Sequence, residues 1–515
     1  HTLFRGRSCT SFFHKAGSAV KRMTGKINFA KILILLLGAS LLYSQKQNIN
    51  SKLTYPSLDK TLSETNSNLQ TKNLSDTELI HSAMEFSECS PAEEKQILEK
   101  YNSIKTRVMK LAETERSEEK LGEQILLLMY ENILNQYKRN ETTMQAAFLN
   151  GTYNCVSASV IFMALAKAAN LNTTGQITPN HAFCTLKTEN KTIDVETTNP
   201  YGFNPGTKKQ LPSANNSVKY AVVPARYYRA RKEASDRMFV SLIAKNLCST
   251  YNDKNNFTKA VPLACKRADF LNGASDQEQN AARDDLYLLC SNYAALLSRS
   301  GQSRNALDWL DTVFEKRGYN ASLLKTYNDI AYNTVAELCN KGQYKTAALI
   351  LESRKSYLTS ANINEIEHMV IATELNEETK PLAADEALVY LKNKLSENTT
   401  QIQNPKIQKT IQSLYEYYVQ IKVNDEQKNG RYINAAQIAR ENLKIFPQSS
   451  IIKNLSEQAL KNHAVYIHNN FAESANKKDY EQARKILLKG LSQNPASSIL
   501  KNDLRTLEQI TGSAR

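Results

Sequence analysis

The chain has 515 residues and a mass of 58.0 kDa, enough for about three domains of ordinary size and for a core that needs no disulfide staples. Hydrophobic residues at 41 % and charged residues at 23 % exclude a disordered chain, while only 12 Pro and 16 Gly exclude fibrous classes and favour long helices. The net charge is +15, but nine Lys and Arg precede the first acidic residue, Asp59, so the +6 left over residues 59–515 calls for no nucleic-acid partner.

Residues 1–44 read as a targeting segment. A basic stretch ends at Lys31, and the uncharged run Ile32–Tyr43, ILILLLGASLLY, follows. Twelve residues are short for a membrane span, which needs about 20, and suit the apolar part of a secretory signal. Gly38, Ala39, Ser40 and Ser44 supply small residues for cleavage, and an uncleaved membrane anchor is the alternative. Both readings place the folded chain outside the cytoplasm, in the periplasm or on the outer face of a membrane. Residues 45–74 are polar and aperiodic, as in a flexible tether. The eight cysteines contain no CxxC pair, and without Cys9 the count is odd, so at least one thiol stays free in a monomer.

Residues 75–217 have the texture of an α+β domain with a helical lead-in. Ser75, Ser90 and Ser117 each stand before acidic residues and an apolar stripe, the chemistry of a helix start. The segment Cys155–Leu171, CVSASVIFMALAKAANL, is apolar nearly all round and predicts a buried helix capped by Asn154. HAFCTLKT and TIDVETT then predict a β-hairpin turning near Glu189-Asn190.

Residues 235–510 are helical throughout and carry an internal repeat. NGRYINAAQIARENLKIFPQSS and KKDYEQARKILLKGLSQNPASS share Tyr, Ala and Pro at equivalent places, with Tyr432 and Tyr480 48 residues apart. Weaker copies start at Phe257, Ser303 and Tyr344, each with Ala three residues on. These segments resemble the second half of tetratricopeptide repeats (TPR), with a longer and less regular period. The resemblance implies a stacked array with a concave face for a protein partner.

No P-loop, GxGxxG or HExxH is present, and no two of the seven His have a metal-ligand spacing, so no cofactor or metal is expected. The residues left for chemistry are Cys155, His181 and the acids Asp194 and Glu196. A Cys at a helix start meets free N–H groups and the positive end of the dipole, which favour thiolate. A neighbouring His can take its proton, and an acid can fix that His. The rival reading is a packing Cys on a buried helix; Cys155 precedes the apolar run rather than sitting inside it. Cys184 has the opposite parity to His181 and is assigned to the core.

GTYNCVSASV, PNHAFCTL and IDVETTNPYGF together resemble the transglutaminase-like superfamily, a papain-related fold. Its pattern is a Cys opening a buried helix, a His starting a strand, and an acid on the next strand with Thr two residues on. The match covers residues 110–210, with Glu196 where that family more often has Asp. The resemblance implies attack of Cys155 on an amide carbonyl of a protein or peptide substrate, a thioester, and release by water or an amine. Tyr201 and Phe203 follow as candidates for an apolar wall or lid. The expected architecture is an α+β transglutaminase-like domain followed by an all-α TPR-like array. The alternative is an exported scaffold that binds partners through its repeats.

A two-residue turn at Glu189-Asn190 would oppose Thr185 to Asp194 and place Glu196 diagonal to His181, within its reach. Asp194 would lie roughly 13 Å further along, beyond a short side chain. The targeting segment predicts export: protease added to cells with an opened outer envelope should digest the chain while cytosolic markers stay intact. Full protection would refute it.

Overall fold

The computed structural model describes residues 55–59, 62–63, 66, 73–205, 223, 228–397 and 399–512. The candidate targeting segment lies outside the described residues. Among the described residues no helix is long and apolar enough to cross a membrane. Residues 56–515 form one compact unit, mostly helical with a small sheet region.

Three capped helices come first: α1 (Asp76–Phe86), α2 (Pro91–Thr114) and α3 (Glu118–Asn132). Ser75, Ser90 and Ser117 accept from the backbone N–H three residues on, as their sequence context predicts. Strand β1 (Gln136–Tyr137) and strand β2 (Thr152–Tyr153) pair in parallel on either side of helix α4 (Met144–Asn150). Helix α5 (Cys155–Ala168) follows, buried at every position from Val156 to Ala166.

The main sheet contains β3 (Thr173–Thr178), β4 (His181–Lys187), β5 (Thr192–Val195) and β6 (Lys232–Ala234), in the order β5-β4-β3-β6 and antiparallel throughout. The β4–β5 register pairs Cys184 with Val195 and Thr185 with Asp194, as the two-residue turn at Glu189-Asn190 requires. The sheet exceeds the predicted hairpin. TTGQIT is a strand despite its central Gly175, and β6 adds an edge from beyond residue 217. Helix α6 (Asp236–Val240) also belongs here. Its Asp236 accepts from the Leu74 N–H at 2.9 Å and pairs with Lys167 at 2.8 Å. A boundary at 217 therefore omits the elements that complete the sheet.

The expectation of a tether over 45–74 does not hold for its described residues. Ser63 donates through its backbone and hydroxyl to Glu85, at 2.9 and 2.6 Å. Arg317 donates to the Leu58 carbonyl at 2.9 Å and Lys316 pairs with Asp59 at 2.6 Å. These groups fasten the segment to α1 and to the helices beyond the sheet.

From α7 (Leu242–Asp253) and α8 (Phe257–Phe270) onward the chain runs in helical hairpins. They continue as α9 (Asp276–Arg299) with α10 (Ser303–Arg317), and α11 (Ala321–Asn340) with α12 (Tyr344–Arg354). Next come α13 (Ser360–Thr379) with α14 (Ala384–Ser396), and α15 (Pro405–Lys428) with α16 (Tyr432–Leu443). The last are α17 (Ser450–Asn476), α18 (Tyr480–Gln493) and α19 (Ser498–Gly512). This arrangement fits a helical-repeat array.

The five sequence copies share one turn. Asn255, Gly301, Gly342, Gly430 and Lys478 have positive φ, two residues before the second helix of each hairpin. In each case the next N–H reaches back to the carbonyl five residues earlier, as in Gln302 to Leu297 and Arg431 to Glu426. The Ala three residues into each second helix, Ala260, Ala306, Ala347, Ala435 and Ala483, is fully buried. A larger side chain there would push the two helices apart. The hairpin α13–α14 escapes the sequence pattern because its turn contains Pro381 and lacks the aromatic start.

The sheet is locked to α6 by the absence of a side chain. A Cβ on Gly175 would lie 2.1 Å from the Phe239 ring. Gly175→Ala should therefore destabilise the protein by about 1–3 kcal/mol, the range for overpacking. Thermal denaturation should show a lowered Tm, and the added change Phe239→Leu should restore part of it. An unchanged Tm for Gly175→Ala would refute the close approach.

Candidate active site

The site is built where the start of α5 meets the start of β4. Asn154 caps α5, its side chain accepting from the N–H of Val156 at 2.9 Å and of Ser157 at 3.1 Å. Ser157 Oγ accepts from the Asn154 N–H at 3.0 Å, which closes a capping box. The cap leaves out the first helical N–H, that of Cys155, which makes no hydrogen bond among the described residues. Cys155 is half-buried, at the rim of a helix whose next eleven residues are buried.

His181 is the first residue of β4 and is 9 % exposed. Its Nε2 lies 2.7 Å from Glu196 Oε2, and the Cys155 side chain is near enough to favour the charged ring. With Nε2 on the carboxylate, Nδ1 is the nitrogen left for the thiol. Burial opposes a charged imidazole here. The influence of Cys155 and Glu196 outweighs it, and the His181 pKa is pushed up to about 10.

Glu196 has no solvent exposure and four donors. Oε2 accepts from His181 and from the Tyr228 hydroxyl at 2.6 Å. Oε1 accepts from the Thr198 hydroxyl at 2.6 Å and the Thr198 N–H at 3.1 Å. Burial alone would raise this carboxyl; the bonds from His181, Thr198 and Tyr228 hold it below the ordinary value. The acid-x-Thr pattern thus has a local reason: Thr198 folds back on Oε1 and leaves Oε2 for the imidazole. A Cβ on Gly202 would lie 2.0 Å from the Glu196 carbonyl oxygen, so the returning loop needs glycine there. Thr197 is held too, by Ser159 Oγ at 2.7 Å and by the Tyr130 hydroxyl on its carbonyl at 2.8 Å.

The structure therefore brings Cys155, His181 and Glu196 together and leaves Asp194 out. The Asp194 carboxylate forms a two-pronged pair with Arg231, at 2.5 and 2.9 Å. Phe203 is not a lid. It is 2 % exposed and packs against Gly122 of α3, while Tyr201 stays exposed. Cys184 is core, its thiol donating to the Ser159 carbonyl at 3.4 Å. Burial pushes Cys184, Cys290 and Cys339 above the ordinary thiol value, and Cys89, Cys248 and Cys265 up to about 12.

Sequence reasoning missed Tyr228. It stands 32 residues beyond Glu196 with no motif around it. Its ring packs edge-on against Phe183 at 5.0 Å and against His181 at 6.3 Å. Arg231 holds it in place: Nε donates to the Tyr228 carbonyl at 3.1 Å, and the guanidinium sits 5.2 Å above the Phe183 ring. Asp194 thus acts at a distance, anchoring the Arg231 that positions Tyr228. Tyr137, missed as well, lies in the electrostatic field of Cys155 and Glu196. Burial first, then these two groups, push its phenol up to about 12.

Among the described residues no cluster could hold a metal ion. The chain matches no family model, no curated protein and no solved structure.

Two outcomes follow from this geometry. Glu196→Gln should lower any thiol-dependent activity by about 10²- to 10⁴-fold, because the imidazole loses its orienting charge. Asp194→Asn and Tyr228→Phe should each cost less than about tenfold; the opposite ranking in folded variants would show that Asp194 is the partner of His181. The pair also sets a pH dependence. His181 is raised in the folded state, so its stabilisation is complete below about pH 6.5 and is lost as pH rises through about 10. Glu196 is lowered, so its contribution is present above about pH 4.5 and fades in acid. Denaturant unfolding should show wild type losing stability between pH 6.5 and 10 more steeply than Glu196→Gln; parallel curves would count against the ion pair.

Proposed function

We propose that this protein is an exported, transglutaminase-like thiol enzyme that cleaves or exchanges amide bonds of a protein or peptide. The observation that carries the reading is the buried His181–Glu196 pair at 2.7 Å, with the half-buried Cys155 thiol as the other partner of the same imidazole. A packing cysteine needs neither a histidine nor a fully buried carboxylate behind that histidine.

In this reading His181 takes the Cys155 proton on Nδ1, and the sulfur attacks the amide carbonyl carbon. The carbonyl π electrons move to oxygen, where the unpaired Cys155 N–H at the helix start can receive them. The tetrahedral species collapses, the C–N bond breaks, and His181 returns the proton to the leaving amine. The thioester is then attacked by water, giving an acid, or by an amine, giving a new amide; His181 takes the proton of that nucleophile, the C–S bond breaks as the second tetrahedral species collapses, and the proton returns to the Cys155 sulfur. Glu196 stays ionised and fixes the ring. Neither metal nor organic cofactor is required by these steps.

The second reading, a non-catalytic scaffold, is supported by the length of the helical array, which offers stacked hairpins to a protein partner. Thiol chemistry separates the two. Near neutral pH Cys155 should be alkylated at least about tenfold faster than Cys89 and Cys339, the other half-buried thiols, as read by peptide mass spectrometry. Cys155→Ala should abolish activity and leave Tm nearly unchanged, since the side chain sits at the rim. Equal alkylation rates at all three thiols would favour the scaffold.

A further inference from the structure

Two exposed cations, Lys138 and Arg139, stand beside the start of α5. The backbone of residues 138–139 is pinned to the residues just before the thiol. The Lys138 N–H donates to the Tyr153 carbonyl at 2.8 Å, and Asn154 Nδ2 donates to the Arg139 carbonyl at 3.2 Å. The Tyr137 phenol feels Arg139 as well as Cys155 and Glu196. Lys138 and Arg139 are exposed, and neither side chain has an ion-pair or hydrogen-bond partner among the described residues. Arg229, exposed beside Tyr228, adds a third such cation.

Two of the nearby carboxylates are already engaged. Asp194 is taken by Arg231, and Glu196 is buried under His181, Tyr228 and Thr198. Glu141 is the one acidic side chain on the turn that follows Arg139.

We propose that the substrate is an acidic peptide, with a carboxylate side chain within one or two residues of the amide that Cys155 attacks. The inference rests on the thiol-enzyme reading and adds a substrate class to it. Lys138 and Arg139 would meet substrate carboxylates beside the nucleophile. Unpaired cations flanking a reactive group raise the local concentration of anions and lose that effect in salt.

The test compares two alkylating agents of similar size on the full chain. Iodoacetate is an anion and iodoacetamide is neutral. In both, the sulfur of Cys155 displaces iodide from the CH₂ carbon, forming C–S and breaking C–I. The readout is the ratio of the two rates at Cys155, which cancels changes in intrinsic thiol reactivity. In Arg139→Gln the ratio should fall about twofold at low ionic strength, and in the double variant Lys138→Gln/Arg139→Gln about fourfold. Both effects should shrink in about 0.5 M salt. A ten-residue oligoglutamate should slow iodoacetamide labelling of wild-type Cys155 at concentrations where a ten-residue oligolysine does not.

A ratio unmoved by both substitutions, or equal protection by the two peptides, would overturn the acidic-substrate inference while a fast-labelling Cys155 kept the thiol-enzyme reading intact. A Cys155 that labels no faster than Cys89 with either agent would overturn both.

Discussion

The Glu196 carboxylate is the constraint on which the site depends. It is a fully buried charge, and a buried charge persists only when its oxygens are satisfied. Here four donors converge on it from three chain segments: His181 at the start of β4, Thr198 two residues on, and Tyr228 beyond the loop. Removing any donor leaves a charge without water to replace it. The loop around Glu196 is correspondingly closed, with Gly202 against the Glu196 carbonyl and the Tyr153 hydroxyl donating to the Tyr130 hydroxyl, which donates to the Thr197 carbonyl and ties the loop to the start of α5. The same bonds that satisfy Glu196 fix the imidazole, and the imidazole faces the one described cysteine placed at a helix start.

Helix α5 supplies the other half. Its interior is so apolar that a thiol anywhere from Val156 to Ala166 would be sealed from solvent and substrate. Position 155 alone combines the helix N-terminus with partial exposure. The Asn154 cap satisfies the second and third N–H groups and spares the first, so capping and an anion-receptive N–H coexist at adjacent residues. Cys184, only three residues from His181, has neither property: the strand alternation turns it onto Ser159 of α5. Two cysteines within reach of one histidine in sequence are thus separated by secondary structure alone.

The helical array is joined to this unit by shared structure rather than by a free linker. Strand β6 is the edge of the sheet, and α6 packs Phe239 on Gly175. Tyr251 of α7 donates to Glu88 at 2.7 Å, and Lys266 of α8 pairs with Glu85 at 2.6 Å. Five of the described hairpins repeat one device, a left-handed residue that reverses the chain and a buried Ala that lets the helices close. Such units stack on their neighbours and hand the geometry of the first hairpin along the chain.

Much of this was legible in the residues. Caps at Ser75, Ser90, Ser117 and Asn154, the buried α5, the β4–β5 register and the choice of Glu196 over Asp194 all follow from local rules: side-chain capping, apolar periodicity, and alternation about a two-residue turn. The repeat was legible wherever a left-handed turn preceded an Ala three residues into the next helix, and was missed at α13–α14, where the turn contains Pro381. What only the tertiary structure decided has a common cause, because it depends on residues distant in sequence meeting through packing. Tyr228 reaches Glu196 across 32 residues, and Arg231 finds Asp194 across 37. Strand β6 carries too few residues for any periodicity, and Phe203 turns inward because Gly122 of α3 leaves room for it. Local propensity specifies where a helix or strand begins; which side chain completes a buried carboxylate is settled by the fold that brings the strands together.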